Sequence, residues 1–179
     1  MRVKGFSVEL NADIDFHHAQ VCRNKVEVRN WCRQFTLISY EEQEAWQDRI
    51  QDPSIKMFSV RVSKPDDAGT QVGVAGFTSI DRQNRSAEFS LWIDPEQQRK
   101  KYGAQALFTL LHHGFMDWGF HRIWGEVFDG NPAMALFEEM GFMHRGKWRE
   151  SYFRNGKFIN SHLIDLLARG FEDKPEKWI

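Results

Sequence analysis

Between Ser86 and Gly119 the chain reads as strand, abrupt stop, basic loop, helix, and this order restricts its folds more than any other feature. The run SAEFSLWID alternates apolar and polar residues as a sheet strand does. It stops at Asp94-Pro95, since proline brings no amide hydrogen to a ladder. EQQRKKYG follows as a loop and opens the helix AQALFTLLHHGFMDWG, whose Leu107, Leu110, Leu111 and Phe115 have core-facing spacing. Such a loop suits a diphosphate, because helix-opening amides point outward unpaired and the helix dipole favours negative charge there. Gly103 would permit close backbone approach, and Arg99, Lys100 and Lys101 would add charge. Basic residues at a loop are also often merely solvated, so the loop alone does not settle the matter.

The rest of the chain supplies a compatible frame. Phe6, Val8 and Leu10 alternate as a first strand. AQVCRNKVEVRNWCRQ reads as one helix, and Ser39 with Glu42 forms a capping box for a second, YEEQEAWQDRI. Phe58, Val60 and Val62, the turn KPDDAGT and the run QVGVAGFTSID read as an antiparallel pair. RIWGEVF is a strand, and Asn131 with Pro132 gives an N-cap and first-turn proline for ALFEEM, which Gly141 stops. Asn155-Gly156 joins two closing strands. With 179 residues and no linker or repeat, one domain over residues 1–179 is expected.

Charge removes several function classes. The 24 Lys+Arg against 25 Asp+Glu leave a net charge of −1, so neither nucleic acid nor an anionic membrane is an expected partner, despite the short clusters RKK and HRGKWR. The N-terminal stretch lacks a continuous apolar run, which argues against a signal peptide or membrane span and for the cytoplasm. Cys22 and Cys32 read as free thiols, and His17-His18 and His112-His113 as surface histidines; no metal is expected.

PEQQRKKYGAQAL resembles the pyrophosphate-binding motif of the GNAT superfamily, with Gln98 and Gly103 at its ends and Lys101 in place of the internal glycine. NPAMALFEEMGF is similar to the later motif of that superfamily through Asn131, Gly141 and Phe142. CRNKVEVRNW, SYEEQEAW and FRNGKFINSHLIDLL resemble the branch of ribosomal-protein N-terminal, spermidine and amino-sugar N-acetyltransferases. The resemblance implies an α/β fold with a mixed, mostly antiparallel, splayed sheet flanked by helices. It implies acetyl-CoA as co-substrate, with an acetyl group passing to a primary amine of a protein N-terminus or small molecule by direct attack in a ternary complex. An amino-sugar acceptor and a non-catalytic acyl-CoA-binding domain are the alternatives.

By the same resemblance coenzyme A would touch Leu91, Trp92, Ile93, Gln98, Arg99, Lys100, Lys101, Tyr102, Gly103, Ala104, Asn131 and Phe137. Glu88 is the candidate base, although an acid in an alternating strand also commonly faces solvent, and alternation does not say which face lines the cleft. Family members often carry a tyrosine acid where this chain has Phe137, so Tyr152 is the candidate donor, with Tyr102 as a further one. Arg29, Trp31 and Tyr40 would shape the acceptor side, where Glu41, Glu42 and Glu126 could attract a cation. Homodimers are common in the branch.

Overall fold

The computed structural model describes residues 1–63 and 68–179. Seven strands form one sheet: β1 (Val8–Asn11), β2 (Lys56–Val62), β3 (Gln71–Asp81), β4 (Ser86–Ile93), β5 (Arg122–Phe128), β6 (Met143–Arg154) and β7 (Lys157–Leu167). Their spatial order is β1-β2-β3-β4-β5-β7-β6, and among the described residues β4 with β5 is the one parallel pair. The expected mixed, mostly antiparallel sheet is therefore the observed one. The turn expected over KPDDAGT falls in part on residues 64–67, outside the described residues.

Helices cover both faces. On one face α4 (Tyr102–His112) buries Ala106, Leu107, Leu110 and Leu111 completely, and α5 (Met134–Glu139) adds Phe137 to the same core, joined by Met140 at its C-cap. Phe115, in the wider π turn His113–Asp117 that ends α4, is buried with them. On the other face α1 (Phe16–Asn24) and α3 (Tyr40–Arg49) lie over β2 and β3, where Ala19, Met57 and Val74 pack with Trp46 and Trp92. Ser39 and Glu42 form the expected capping box at α3.

Two helix expectations need correction. AQVCRNKVEVRNWCRQ is two helices, α1 and α2 (Val26–Arg29), because Lys25 turns to extended backbone between them. Its ammonium there meets Asp94 and Glu96, each at 2.8 Å, an attachment that a continuous helix would redirect. Asn131 does not cap α5 either. Its Oδ1 accepts from the Ala133 amide at 2.9 Å, closing a turn of its own, and the helix begins only at Met134 with Ala133 as N-cap. The hairpin turn is as expected: Asn155 and Gly156 both have positive φ, 49° and 79°, as the tight two-residue turn requires.

Candidate active site

The parallel pairing of β4 with β5 is short. It covers Ser86↔Arg122, Ala87↔Ile123 and Glu88↔Trp124, and no pairing continues past Glu88 among the described residues. β3 stays paired with β4 as far as Ile93, so from Phe89 onward one edge of β4 keeps its backbone groups free. Phe89 holds the strands apart, packing its ring against Phe137 and Phe142 with centroids 5.1 and 5.0 Å away. The result is a cleft of about 540 Å³ whose walls include Trp31, Arg33, Trp46, Glu88, Leu91, Trp92, Glu126, Asn131 and Phe137.

Glu88 stands at the apex where the strands part, with its side chain only 8 % exposed. The solvated alternative for this residue is thus excluded. Thr78 and Ser79 donate their hydroxyls to Glu88 Oε2 at 3.2 and 3.4 Å. Across the apex on β5, Glu126 is 1 % exposed and accepts the Tyr152 hydroxyl at 3.0 Å. Arg33, from the segment between α2 and α3, joins the two carboxylates: Nη2 donates to Glu88 Oε1 and Nε donates to Glu126 Oε2 at 2.7 Å. Burial works against the Arg33 charge, and the hydrogen bonds to Glu88 and Glu126 outweigh it, raising its pKa further. Burial first and Glu126 second raise the Tyr152 pKa, so this phenol keeps its proton.

Below the cleft, Asp94 caps the short 3₁₀ turn Pro95–Gln97, and Gln98 Nε2 donates to the Ile93 carbonyl at 3.1 Å. Arg99 and Lys101 then take φ values of +61° and +64°, conformations that glycine adopts freely and other residues rarely do. The tight bends are thus at Arg99 and Lys101, whereas Gly103 lies in the first turn of α4, where an added Cβ would find only Ile93 Cγ1 at 3.5 Å. No side chain caps α4, so the amides of its first turn, Tyr102, Gly103 and Ala104, have no partner within the helix.

The other expectations divide. Trp31 lines the cleft; Arg29 and Tyr40 do not, since Arg29 lies over the Phe35 ring and Tyr40 opens α3 at the surface. Tyr102 is core, 6 % exposed, and Tyr152 stands behind Glu126 rather than on the cleft wall. His18 is not a bare surface histidine: its Nε2 is 3.4 Å from Cys22 Sγ and 3.6 Å from Asp94 Oδ2. These three are the described residues arranged to hold a cation, and Lys25 already supplies one to Asp94. Burial and the Asp94 hydrogen bond push the Cys22 thiol up to about 12. Arg33 was missed as a site residue: it falls in the stretch read as a helix, whereas α2 ends at Arg29 and Arg33 follows in irregular backbone.

A splayed parallel pair with a buried acid at its apex stands above a helix whose first-turn amides are free to meet an anion. The comparisons with known proteins give the family. The acetyltransferase (GNAT) domain profile matches residues 7–143. The spermidine N(1)-acetyltransferase of Vibrio cholerae is 31% identical over 140 residues, 77% of this chain and 79% of that protein. The ribosomal-protein-serine acetyltransferase of Escherichia coli is 26% identical over 174 residues, 91% and 92% of the two chains. The crystal structure of spermidine N-acetyltransferase from Vibrio cholerae in complex with CoA and spermine superposes with a TM-score of 0.81 at 25% identity, covering 92% of this chain and 97% of that one. The chain belongs to the GNAT acetyltransferase family.

Proposed function

We propose that the protein binds acetyl-CoA in the opening between β4 and β5 and transfers the acetyl group to a primary amine, of a small molecule or a peptide N-terminus, entering from the α1–α3 side. The observation that carries this reading is the divergence of β4 from β5 immediately after Glu88, which leaves an unpaired strand edge beside a buried carboxylate. The free edge from Leu91 to Ile93 offers backbone groups to the pantetheine amides. One amide there would polarise the thioester carbonyl and stabilise the oxyanion of the tetrahedral intermediate. The diphosphate would rest on the first-turn amides of Tyr102, Gly103 and Ala104, with Gln98, Arg99, Lys100 and Lys101 around it.

The amine arrives as an ammonium and must lose a proton before it attacks. Glu88 accepts that proton, directly or through one water, once Arg33 has yielded its place on Oε1. The nitrogen then bonds the carbonyl carbon, the carbon–sulfur bond breaks, and the second proton released from nitrogen passes to the departing thiolate or to solvent. A thiolate with a pKa of about 8.5, as for an ordinary thiol, departs without obligatory help. Phe137 cannot donate a proton, and its ring instead supports Phe89 at the wall. Tyr152 positions Glu126. The reaction is assigned to the cytoplasm; among the described residues no helix is long and apolar enough to cross a membrane.

Acetyl-CoA calorimetry on the wild-type chain and on Gly103→Glu tests this reading. The Gly103 site has room for a side chain, and an acid in the first turn suits the helix dipole, so the variant folds. We expect tight binding to the wild type and at least about tenfold weaker binding to the variant, since like charge then faces the diphosphate. No binding to folded wild type removes the proposal.

A further inference from the structure

Resting on the amine-acetyltransferase reading, we propose that the acceptor carries a carboxylate as well as its amine, and that Arg23 and Gln43 recognise that carboxylate. Among the described residues, buried polar atoms without a hydrogen-bond partner include three on the walls of this cleft, Arg23 Nη1, Gln43 Nε2 and Glu126 Oε1. They are not alike. Glu126 Oε1 can only accept and stands at the apex, where the reacting amine must sit. Arg23 Nη1 and Gln43 Nε2 can only donate, and they come from α1 and α3, which cover the opposite face of the sheet from α4. Gln43 is 6 % exposed as a residue and the Glu126 side chain is 1 % exposed, so water does not freely satisfy either group. A buried donor or acceptor left unpaired costs about 1–3 kcal/mol, which a ligand of the right polarity recovers. The complementary ligand therefore donates at the apex and accepts beside α1 and α3.

Charge points the same way. The ionisable walls are Arg23, Arg33 and Arg49 against Glu42, Glu88 and Glu126, three of each sign. At the apex Arg33 already spans Glu88 and Glu126, leaving one uncompensated negative charge for one ammonium. The α1 and α3 walls carry Arg23 and Arg49 against Glu42, a surplus of positive charge. A polyamine reaching across would bring a second ammonium to these guanidinium groups and leave both donors unpaired. A zwitterionic amine satisfies both ends. The related spermidine acetyltransferases thus share the frame, while this cleft has the polarity for an ω-amino acid or a similar carboxylate-bearing amine.

Matched pairs of equal carbon number test this. γ-Aminobutyrate against putrescine, and ε-aminocaproate against hexamethylenediamine, differ only in the far group; acetylation is followed by free thiol release, and affinity by calorimetry. For at least one pair we expect the amino acid to have a kcat/KM about tenfold or more above the diamine, through KM. In Arg23→Met combined with Gln43→Leu that ratio should fall to about one, and Arg23→Lys should restore part of it. A diamine preferred or equal in both pairs, or a ratio unchanged in the double variant, overturns the proposal. If acetyl-CoA fails to bind, the transferase reading fails by itself; the same pairs titrated into the free protein then decide the carboxylate site, and no affinity for any of them counts against it.

Discussion

Phe89 occupies the space that a side chain on Gly125 would need: a Cβ at Gly125 would stand 2.4 Å from Phe89 Cε1, closer than real carbons approach. The absence of a side chain on β5 is therefore what allows a ring from β4 to wedge the two strands apart. Sheet opening, aromatic packing against Phe137 and Phe142, and the cleft are parts of one arrangement. Gly125→Ala should force Phe89 from its rotamer, lower stability by about 1–3 kcal/mol and weaken acetyl-CoA binding. Denaturant unfolding and calorimetry on the same preparation measure both effects. An alanine variant as stable as the wild type would show that Phe89 is not the wedge.

Glu88→Gln keeps the shape of the apex and its hydroxyl contacts to Thr78 and Ser79 while removing the proton acceptor. Acetyl-CoA affinity should change less than about twofold, and kcat should fall about 100- to 10,000-fold, the usual span for losing a general base. The residual rate should rise with pH toward the pKa of the free amine, because deprotonation is then left to solvent. An unchanged kcat would move the base elsewhere.

The strands were legible because alternation records burial on one face, and Phe6, Val8, Leu10 and Phe58, Val60, Val62 all lie in the core as their spacing implied. The same rule was silent on Glu88, since period two divides a strand into faces without saying which one meets a cleft. The Arg33 link spans 55 residues to Glu88 and 93 to Glu126, and the Cys22–Asp94 contact spans 72, separations at which no local pattern carries information. Lys25 broke a helix whose local sequence favoured continuation because two carboxylates from the far side of the fold hold its ammonium. The loop was readable in its charge and not in its backbone: its left-handed residues are Arg99 and Lys101, types that seldom announce such a conformation.

Cys22, 1 % exposed and hydrogen-bonded to Asp94, holds its proton to a pH near 12, above an unfolded thiol at about 8.5. Between those values the unfolded chain has lost the proton and the folded chain retains it. Stability from this group is thus fully present below about pH 8.5 and declines as pH rises through the window, by at most about 1.4 kcal/mol per pH unit. Urea unfolding from pH 8 to pH 10.5 should show a decline that Cys22→Ser reduces. Iodoacetamide should leave Cys22 unmodified at pH 8 in the folded protein and alkylate it in urea. Rapid native labelling would contradict this protonation state.

Arg99 and Lys101 set stability against ligand affinity in one loop. Each holds a left-handed backbone at φ near +60°, which costs a residue with a Cβ about 1–2 kcal/mol relative to glycine, and glycine returns part of that gain through its freer unfolded chain. Lys101 Nζ donates to the Ile179 carbonyl, so the cleaner test is Arg99→Gly, which should raise unfolding stability by about 0.5–1 kcal/mol. The same change removes a cation beside the first turn of α4, where the diphosphate is proposed to rest. Acetyl-CoA affinity should fall, and the difference between the two chains should shrink as salt screens the lost charge. Opposite signs in the melting temperature and in the affinity, from one substitution, are the expected result. A variant that is both less stable and as tight a binder would show that the left-handed backbone at Arg99 carries no strain and that Arg99 does not face the cofactor.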